Sequence, residues 1–478
     1  MHDYVKNGLT LIKNYIYFTL TLCQYGEIFL KEAKMGFYRS IVQDLEEWKA
    51  ASVRKPVILR GARQVGKTTV VREFGKRFDT FIELNLEKKA DRDLFENDLS
   101  VKDLFRYICL EKKIVPHGNV LLFIDEIQNS PKAVAQLRYF YEEMPELYVV
   151  GAGSLLEVMM ERHKISFPVG RVEYRYMFPM TFVEFMAALG EDAVLEMYRE
   201  KEIPEIAENK LASLFRLYSF VGGMPEVVAR YVETEDMSQL NSVYESLITS
   251  YKDDVSKYAK NATEANVIRH VIETAPFETG KRIKFERFGN SNYKSKEIGE
   301  ALKILERAMF LYLRYPVNGH ELPLVPNFKQ HPRLQFLDTG LLNYVLGLSS
   351  VYYKDVQLSD AYNGMIAEHV VGQELLASQS DVLHKPTLWI REKKQANAEV
   401  DFLIVKDGNV VPIEVKSGAT GSLRSLHSYI DEGGFEVALR LYSGKKSVEN
   451  AVTPQGRKPY KLVNLPLYYA GKLGEFQY

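Results

Sequence analysis

Hydrophobic and polar positions along residues 35–190 follow the pattern of a parallel α/β sheet, in which apolar strands alternate with amphipathic helices. Strand candidates lie at residues 57–59, 81–86, 120–124 and 146–150. The run at 120–124, Val-Leu-Leu-Phe-Ile, is wholly apolar, as expected for a central strand with both faces covered. The pattern therefore predicts a parallel sheet between helical layers.

Two further patterns follow this sheet. Residues 191–260 are amphipathic at helical spacing and are interrupted by Gly-Gly-Met-Pro at 222–225, which predicts a helical lid. Residues 261–345 contain a predicted helix capped by Ser295 and then a strand at 310–313. A helix followed by a hairpin is typical of a winged helix-turn-helix. The predicted apolar face of this helix consists of Ile298, Leu302, Leu305 and Met309.

The composition is that of a folded protein with about three domains, since 46% of the 478 residues are hydrophobic and 26% are charged. The net charge of −1 gives the whole chain no electrostatic preference, so any nucleic-acid surface must be local. Residues 281–314 contain nine Lys and Arg against four Glu, a local net charge of +5. We predict that this segment binds DNA. The alternative is a helix whose charged residues are only solvated.

The amino-terminal residues differ from the rest of the chain. The charge-free run between Lys13 and Glu27 is shorter than the roughly 20 apolar residues that span a bilayer, so no membrane segment is predicted. An amphipathic helix begins at Met35, and we expect residues 1–34 to be an extension upstream of the native start. Cysteines are few, and their spacing gives neither a metal site nor a disulfide framework, which favours a reducing, cytoplasmic setting. The two cysteines are Cys23 and Cys109.

Residues 61–68, Gly-Ala-Arg-Gln-Val-Gly-Lys-Thr, match the phosphate-loop pattern G-x-x-x-x-G-K-[ST] between a predicted strand and a predicted helix. Gly61 and Gly66 allow successive backbone N–H groups to point inward at an anion. Lys67 is expected to reach the β- and γ-phosphates of ATP, and the Thr68 hydroxyl to bind Mg²⁺. The next residue, Thr69, is also predicted to bind the nucleotide.

Two acidic residues directly follow the predicted central strand, about 55 residues after the phosphate loop. Asp125 is expected to hold Mg²⁺ and Glu126 to polarise the attacking water, because the carboxyl end of such a strand lies beside the phosphate loop. Ser154, after the strand at 146–150, is a candidate γ-phosphate sensor, or else part of a glycine-rich turn. Arg171 is a candidate arginine finger, acting in its own subunit or across a homo-oligomer. Its alternative role is a surface salt bridge.

A second chemical site is predicted near the carboxyl terminus. Alternating runs at 399–405 and 410–416 flank Asp-Gly, the strongest short-range signal for a hairpin. Counting outward from this two-residue turn places Asp401 opposite Glu414, with Lys416 on the same face.

Two acids that face each other across a strand pair repel, which suggests a divalent cation, Mg²⁺, between them. Lys416 beside the metal would orient a water or steady charge on a phosphate. Glu368, on a predicted helix at residues 364–376, is placed to complete the metal site. The alternative is a surface hairpin in which Lys416 pairs with Glu399.

These motifs resemble those of prokaryotic AAA+ ATPases that carry a companion domain of unknown function. The carboxyl-terminal residues 399–401 and 413–418 are similar to the PD-(D/E)xK nuclease-like module at the end of those proteins. Glu399-Val400-Asp401 departs from the Pro-Asp of that module's name, so the resemblance leaves open whether the module cuts or only binds. The motifs of the ATPase part occur in this order: 61–68, 124–126, 170–171 and 222–225.

The resemblance implies an α/β protein with a P-loop AAA+ sheet domain, a helical lid, a winged-helix domain and an α/β restriction-endonuclease-like domain. On the positions that match, Lys67 and Thr68 are the phosphate and Mg²⁺ residues, and Asp125 and Glu126 the Mg²⁺ and water residues. The matching nuclease positions are Glu368, Asp401, Glu414 and Lys416. The domain boundaries that follow are 35–190, 191–260, 261–345 and 346–478.

Two functions of different classes agree with the sequence. In the first, ATP binding and hydrolysis drive a DNA-associated enzyme whose carboxyl-terminal module binds Mg²⁺ and cuts phosphodiesters. In the second, the chain is a nucleotide-switched regulatory or interaction protein, and both distal modules only bind. Cleavage of DNA by the carboxyl-terminal module distinguishes the two.

Overall fold

The structure, a computed structural model, describes residues 37–156, 158–159, 170–200, 202–348, 360–378, 385–391 and 398–475. The predictions about residues 1–34, including Cys23, lie outside this range. Among the described helices, none combines the length and the apolar character needed to cross a bilayer.

The first part of the chain forms a sheet of five parallel strands, as predicted. Their order across the sheet is second, third, fourth, first and fifth. The carboxyl ends of the first, third and fourth strands are therefore neighbours, and the predicted nucleotide residues follow these ends. The fifth strand was not predicted. The strands are β1 Val57–Gly61, β2 Thr80–Asn85, β3 Val120–Asp125, β4 Tyr148–Gly153 and β5 Glu173–Met177.

Helices cover both faces of this sheet. Ile41, Leu45 and Trp48 are buried along the first helix, as their spacing predicts, and pack in the same core as β1 and β3. The opposite face of the sheet packs a second, separate core. The helices of this part are α1 Ile41–Ala50, α2 Lys67–Gly75, α3 Lys89–Asp93, α4 Val101–Lys112 and α5 Pro131–Glu143.

A run of five helices follows β5. The predicted break at residues 222–225 separates the third helix of this run from the fourth, which has Pro225 as its first residue, a position where the missing N–H costs nothing. Gly223 has no room for a side chain, because a Cβ there would lie 2.2 Å from the Met180 carbonyl oxygen. The helices are α6 Phe182–Ala188, α7 Asp192–Arg199, α8 Glu205–Val221, α9 Pro225–Thr234 and α10 Asn241–Tyr258.

The segment predicted as a winged helix contains the expected basic helix but no exposed wing. Its two antiparallel strands, Leu311–Arg314 and Arg333–Phe336, are almost wholly buried. Lys294 rather than Ser295 precedes the basic helix, and Glu297 accepts the Lys294 N–H at 2.8 Å. The four predicted apolar positions of this helix are buried. The elements are α11 Ala262–Glu278, α12 Ser295–Arg307, β6 Leu311–Arg314, β7 Pro316–Val317, β8 Arg333–Phe336 and α13 Thr339–Val345.

The carboxyl-terminal part is a mixed α/β sheet of seven strands. The hairpin has the predicted register, with Lys406 opposite Asn409 and Phe402 opposite Ile413. The elements are α14 Asp360–Ala377, β9 Thr387–Ile390, β10 Glu399–Lys406, β11 Asn409–Val415, α15 Arg424–Gly433, β12 Val437–Tyr442, β13 Ser447–Val452 and β14 Pro459–Pro466. The strand order is β13-β14-β12-β11-β10-β9-β7, so β7 adds an edge strand from the preceding segment.

Helix α14 joins the parts of the chain through buried polar side chains. Glu374 accepts hydrogen bonds from the Phe182 N–H at 3.0 Å and from the Tyr218 hydroxyl at 2.7 Å. Gln373 accepts the Thr339 N–H at 2.9 Å. His369 Nε2 donates to the Phe336 carbonyl at 3.1 Å. One helix thus contacts α6, α8 and the start of α13 through polar groups.

Asp338 ties the 222–225 turn to this junction. Its carboxylate accepts the Gly223 N–H at 2.6 Å and the Leu341 N–H at 3.0 Å, and it is fully buried. Burial raises the pKa of Asp338 to about 6, whereas these backbone donors favour its charged form. The Asp338 carboxylate therefore caps the start of α13 and also holds the 222–225 turn.

Asp338→Ala should lower the free energy of unfolding by about 3 kcal/mol at pH 7.5, because two buried N–H groups lose their acceptor. Chemical denaturation followed by circular dichroism measures the change. Asp236→Ala is the matched control, since Asp236 also caps a helical turn, through the Ser238 N–H at 2.8 Å, but is only partly buried. Equal losses in the two variants would contradict the role given to Asp338.

Candidate functional site

The phosphate loop connects β1 to α2 and has the backbone that anion binding requires. Gly66 precedes the helix with φ 96°, a left-handed conformation that favours glycine. Lys67 is buried, and its ammonium donates to the carbonyls of Gly61 at 2.9 Å and Ala62 at 2.8 Å. Thr68 and Thr69 lie in the first turn of α2, where backbone N–H groups and the helix dipole favour an anion.

The two acids after β3 lie beside this loop. The Thr68 hydroxyl donates to Asp125 Oδ2 at 2.9 Å, so the two predicted Mg²⁺ ligands are already in contact. Glu126 has φ 51°, an uncommon conformation for a residue with a side chain. The hydroxyl and carboxylate oxygens are the donors that Mg²⁺ prefers, so this pair fits that ion.

Gln128 is a residue of this site that the sequence analysis missed. Its Nε2 donates to Glu126 Oε2, and its Oε1 is buried without a hydrogen-bond partner. A Cβ on Gly153, at the end of β4, would collide with that Oε1 at 2.2 Å. The side chain therefore lies between Glu126 and the end of β4, where it fixes the direction of the Glu126 carboxylate.

Burial shifts the pKa values of two charged groups of the site, Lys67 and Asp125. Burial lowers the pKa of Lys67 to about 8, although Glu126 and Asp125 raise it. Burial raises the pKa of Asp125, against the hydrogen bond from Thr68, which lowers it. The ammonium is thus held in a place where it is only weakly stabilised, and the negative charge of a bound phosphate would compensate for that.

The two remaining candidates have different surroundings. Ser154 directly follows β4, which lies between β1 and β3 in the sheet, and it is buried. It therefore lies at the same sheet edge as the phosphate loop and Asp125. Arg171 Nε donates to Glu142 Oε1 at 2.7 Å on the protein surface. This contact is the surface salt bridge that the sequence analysis left open as an alternative.

Helix α10 holds the phosphate loop from outside. The Tyr251 hydroxyl donates to the Arg63 carbonyl at 2.7 Å, and Ser250 Oγ donates to Gln64 Oε1 at 3.2 Å. Asp254, buried in the same helix, forms an ion pair with the Arg63 side chain. We call these contacts of Ser250, Tyr251 and Asp254 the loop clamp. Their sequence neighbours carry no motif, so only the fold reveals them.

Arg39 supports the loop from the other side. Its buried guanidinium donates to the Val65 carbonyl at 2.7 Å, to the Phe178 carbonyl at 2.7 Å and to Glu184 at 2.9 Å. Glu184 in turn accepts the Ser40 N–H at 2.7 Å. The loop is therefore braced between the region before α1 and the start of α6.

The carboxyl-terminal acids come together, but two arginines lie among them. Arg333 Nη2 is 2.7 Å from Glu368, and its Nη1 is 3.0 Å from Glu399 and 3.2 Å from Asp401. Arg314 Nη2 is 2.8 Å from the other Glu368 oxygen. We call Glu368, Glu399, Asp401 and Glu414, with their cationic partners, the carboxylate cluster. Sequence reasoning missed both arginines because they lie on β6 and β8, at least 35 residues along the chain from any of these acids.

The predicted metal site is not formed. Among the described residues, no group of three or more His, Cys, Asp or Glu side chains has an arrangement that holds a metal ion. Lys416 contacts Glu414 at 2.6 Å rather than Glu399, so the alternative pairing is also wrong. The predicted Mg²⁺ ligands Glu368, Asp401 and Glu414 are instead neutralised by cationic side chains.

Comparison with known families agrees with three successive units. Residues 53–186 match the AAA_14 family, described as an AAA domain. Residues 212–352 match a domain of unknown function, DUF8612, and residues 363–468 match another, DUF4143. No curated protein sequence matches the chain.

The comparison with solved structures gives matches of low sequence identity and low TM-score. A Walker-type ATPase of Pyrococcus abyssi is 15% identical with a TM-score of 0.42, covering 65% of this chain and 96% of its own. The ORC2 protein of Aeropyrum pernix is 12% identical with a TM-score of 0.28, covering 67% and 94%. The ORC1 protein of the same organism, in complex with DNA, is 14% identical with a TM-score of 0.29, covering 65% and 92%.

The family match and the phosphate-loop geometry agree on the first unit. Residues 53–186 contain the parallel sheet, the loop with Lys67 and Thr68, and the acids after β3. This part of the chain is an ATP-binding P-loop domain of the AAA type.

Proposed function

We propose that the chain is an ATP hydrolase that uses the turnover of ATP to change how its distal parts bind other molecules. The observation that carries the proposal is the contact of Thr68 with Asp125 at 2.9 Å, which joins the phosphate loop to the acids after β3. Positioning and electrostatic stabilisation account for most of the catalysis of phosphoryl transfer, and both need this contact.

Each residue of the site has a role in that reaction. Lys67 would bind the β- and γ-phosphates, and Thr68 with Asp125 would hold Mg²⁺. When bound, Mg²⁺ neutralises charge on the phosphates. Glu126 would take the proton of the attacking water, with Gln128 fixing its direction. Ser154, at the same sheet edge, would contact the γ-phosphate.

Arg171 is the candidate arginine finger, and its present partner is Glu142. Its ion pair with Glu142 lies on the surface, where solvent screens the charges, so the pair can be exchanged at little cost in stability. We propose that Arg171 acts as a finger for a neighbouring subunit in a homo-oligomer. A structure with bound nucleotide and a second copy would test this.

The loop clamp offers a route from the nucleotide to the rest of the chain. The clamp residues lie on α10, which packs on α11, and α11 packs on the basic helix α12. A movement of the phosphate loop on binding ATP would therefore shift the far ends of these helices. We propose that this couples the ATP site to the basic segment 281–314.

The basic segment is the proposed DNA-binding surface. Seven of its nine cations are exposed: Lys281, Arg282, Lys284, Arg287, Lys294, Lys296 and Lys303. Arg314 is buried against Glu368 and takes no part in that surface, which corrects its inclusion in the segment. Lys296 and Lys303 are seven residues apart, so they lie on one side of α12.

The second candidate function, a nucleotide-switched interaction protein, is favoured by one observation. The carboxylate cluster is neutralised by arginines, which supports a carboxyl-terminal module that binds without cutting. Cleavage of DNA in the presence of Mg²⁺ distinguishes the two candidates, and the effect of DNA on the rate of ATP hydrolysis tests whether DNA is the partner. Stimulation by DNA supports the first, and an unchanged rate in its presence supports a different partner.

Glu126→Gln should lower the rate of ATP hydrolysis by about 10²- to 10⁴-fold, because the amide cannot accept a proton from water. ATP binding, measured by calorimetry, should stay within about threefold of wild type because Lys67 and Thr68 are intact. The matched control is Glu143→Gln on the exposed surface of α5. A variant that hydrolyses ATP at the wild-type rate would rule out Glu126 as the base.

ATP binding should be accompanied by proton uptake near pH 8, because the Lys67 pKa is about 8 in the free protein and phosphate charge will raise it. The affinity should therefore fall as the pH rises above 8, where free Lys67 is neutral and must take up a proton. Calorimetry in two buffers of different ionisation enthalpy measures this uptake. It should persist in Lys76→Ala, an exposed lysine after α2, and its absence from wild type would contradict the assignment.

Lys284→Ala, Lys296→Ala and Lys303→Ala combined should weaken DNA binding roughly tenfold at moderate salt, and flatten the dependence of log K on log salt by about 0.9 for each lost phosphate contact. Fluorescence anisotropy with labelled duplex measures both. The control combines Lys102→Ala, Lys132→Ala and Lys210→Ala, exposed lysines outside the segment. An equal loss in the control would show that only overall charge matters.

A further inference from the structure

We infer that Arg333 takes the place of a divalent metal ion in the carboxylate cluster, so that the nuclease-like module is held together by a cation of its own chain. The acids at these positions resemble the metal ligands of PD-(D/E)xK nucleases, but the donor set does not fit a metal. The inference concerns the carboxyl-terminal module alone and does not depend on ATP hydrolysis.

The oxygens of the three predicted ligands are almost all used by protein donors. Both Glu368 oxygens contact guanidinium groups, at 2.8 and 2.7 Å. Asp401 Oδ1 contacts Arg333 at 3.2 Å, and Oδ2 accepts the Val415 N–H at 2.9 Å. Of the six oxygens, only Glu414 Oε2 lacks a hydrogen-bond partner. A divalent metal needs several such oxygens, and a single one is left.

The charges of the cluster also balance without a metal. Four carboxylates, those of Glu368, Glu399, Asp401 and Glu414, are in contact with four cationic side chains. A Mg²⁺ ion would add two positive charges to a group that is already neutral, and it would have to displace hydrogen-bonded donors. The cationic side chains are Arg282, Arg314, Arg333 and Lys416.

Arg333 is fixed in its position by more than the acids. Its Nε donates to the Gly280 carbonyl at 2.9 Å, and β8 pairs with β6 through Arg314 opposite Arg333. Arg314 lies with its guanidinium 4.2 Å from the centre of the Phe402 ring and donates to the Asp401 carbonyl at 3.0 Å. The Arg333 guanidinium is therefore held in the cluster by the β6–β8 pair as well as by the acids.

The cluster consequently serves as a junction between β6–β8 and the carboxyl-terminal sheet. The fork of a guanidinium suits this role better than a metal because it makes directed hydrogen bonds to carboxylates from two elements, α14 and β10. Arg333 contacts the carboxylates of Glu368, Glu399 and Asp401, more than any other cation of the cluster does. Removing Arg333 should therefore leave acids that seek another cation.

The test asks whether a metal site appears when Arg333 is removed. Arg333→Met keeps the length of the side chain and removes the charge. In a full-length background with Asp125→Asn, which removes the carboxylate proposed to hold Mg²⁺ at the ATP site, bound Mn²⁺ is measured by electron paramagnetic resonance. We expect Arg333→Met to bind one Mn²⁺ at least tenfold more tightly than the background protein. Adding Asp401→Asn should abolish this binding.

The control is Arg282→Met, which removes a more exposed cation 3.3 Å from Glu399 and should gain no Mn²⁺. A folded Arg333→Met that gains no Mn²⁺ would overturn the inference. Should Arg333→Met fail to fold, Asp401→Asn in the Asp125→Asn background decides the question. Unchanged Mn²⁺ binding in that protein supports the inference, whereas a loss of Mn²⁺ shows that the native cluster already holds metal and overturns it.

Discussion

The burial of polar side chains on helix α14 is the constraint on which the arrangement of the chain depends. A buried polar group without a partner costs about 1–3 kcal/mol, so each such group fixes the element that supplies its partner. Glu374 fixes the start of α6 and the last turn of α8, Gln373 fixes the start of α13, and Glu368 fixes the β6–β8 pair through two arginines. The ATP-binding domain, the helical lid and the carboxyl-terminal sheet are therefore positioned by one helix.

The phosphate loop is braced in a comparable way from two directions. Arg39 holds the Val65 carbonyl from the amino-terminal side, and Tyr251 holds the Arg63 carbonyl from α10. A loop that is held by two separate elements cannot change shape without moving at least one of them. The nucleotide site is thus connected to α10 even though no α10 residue is part of the phosphate-loop motif.

Local patterns predicted the local structure well. The apolar runs predicted four of the five strands of the parallel sheet. The Asp407-Gly408 turn predicted the register of the carboxyl-terminal hairpin, because a two-residue loop leaves one way to pair the strands. The acids of the carboxylate cluster were predicted to hold a metal because local spacing does not show contacts with distant parts of the chain. Arg314 and Arg333 reach Asp401 and Glu368 only through the packing of β6 and β8, and pairings between distant segments leave no trace in spacing. The strand predicted at residues 310–313 is present as β6, but the pattern did not show that it is buried or that it pairs with β8.

The neutrality of the carboxylate cluster has a consequence for how this protein can change in evolution. A single replacement of an acid or of a guanidinium leaves one buried charge without its partner, which in buried pairs costs several kcal/mol. Substitutions at these positions should therefore occur together, an acid lost with an arginine. A descendant that recovered metal-dependent chemistry would have to release Arg333 first, and it would weaken its interdomain junction in the same step.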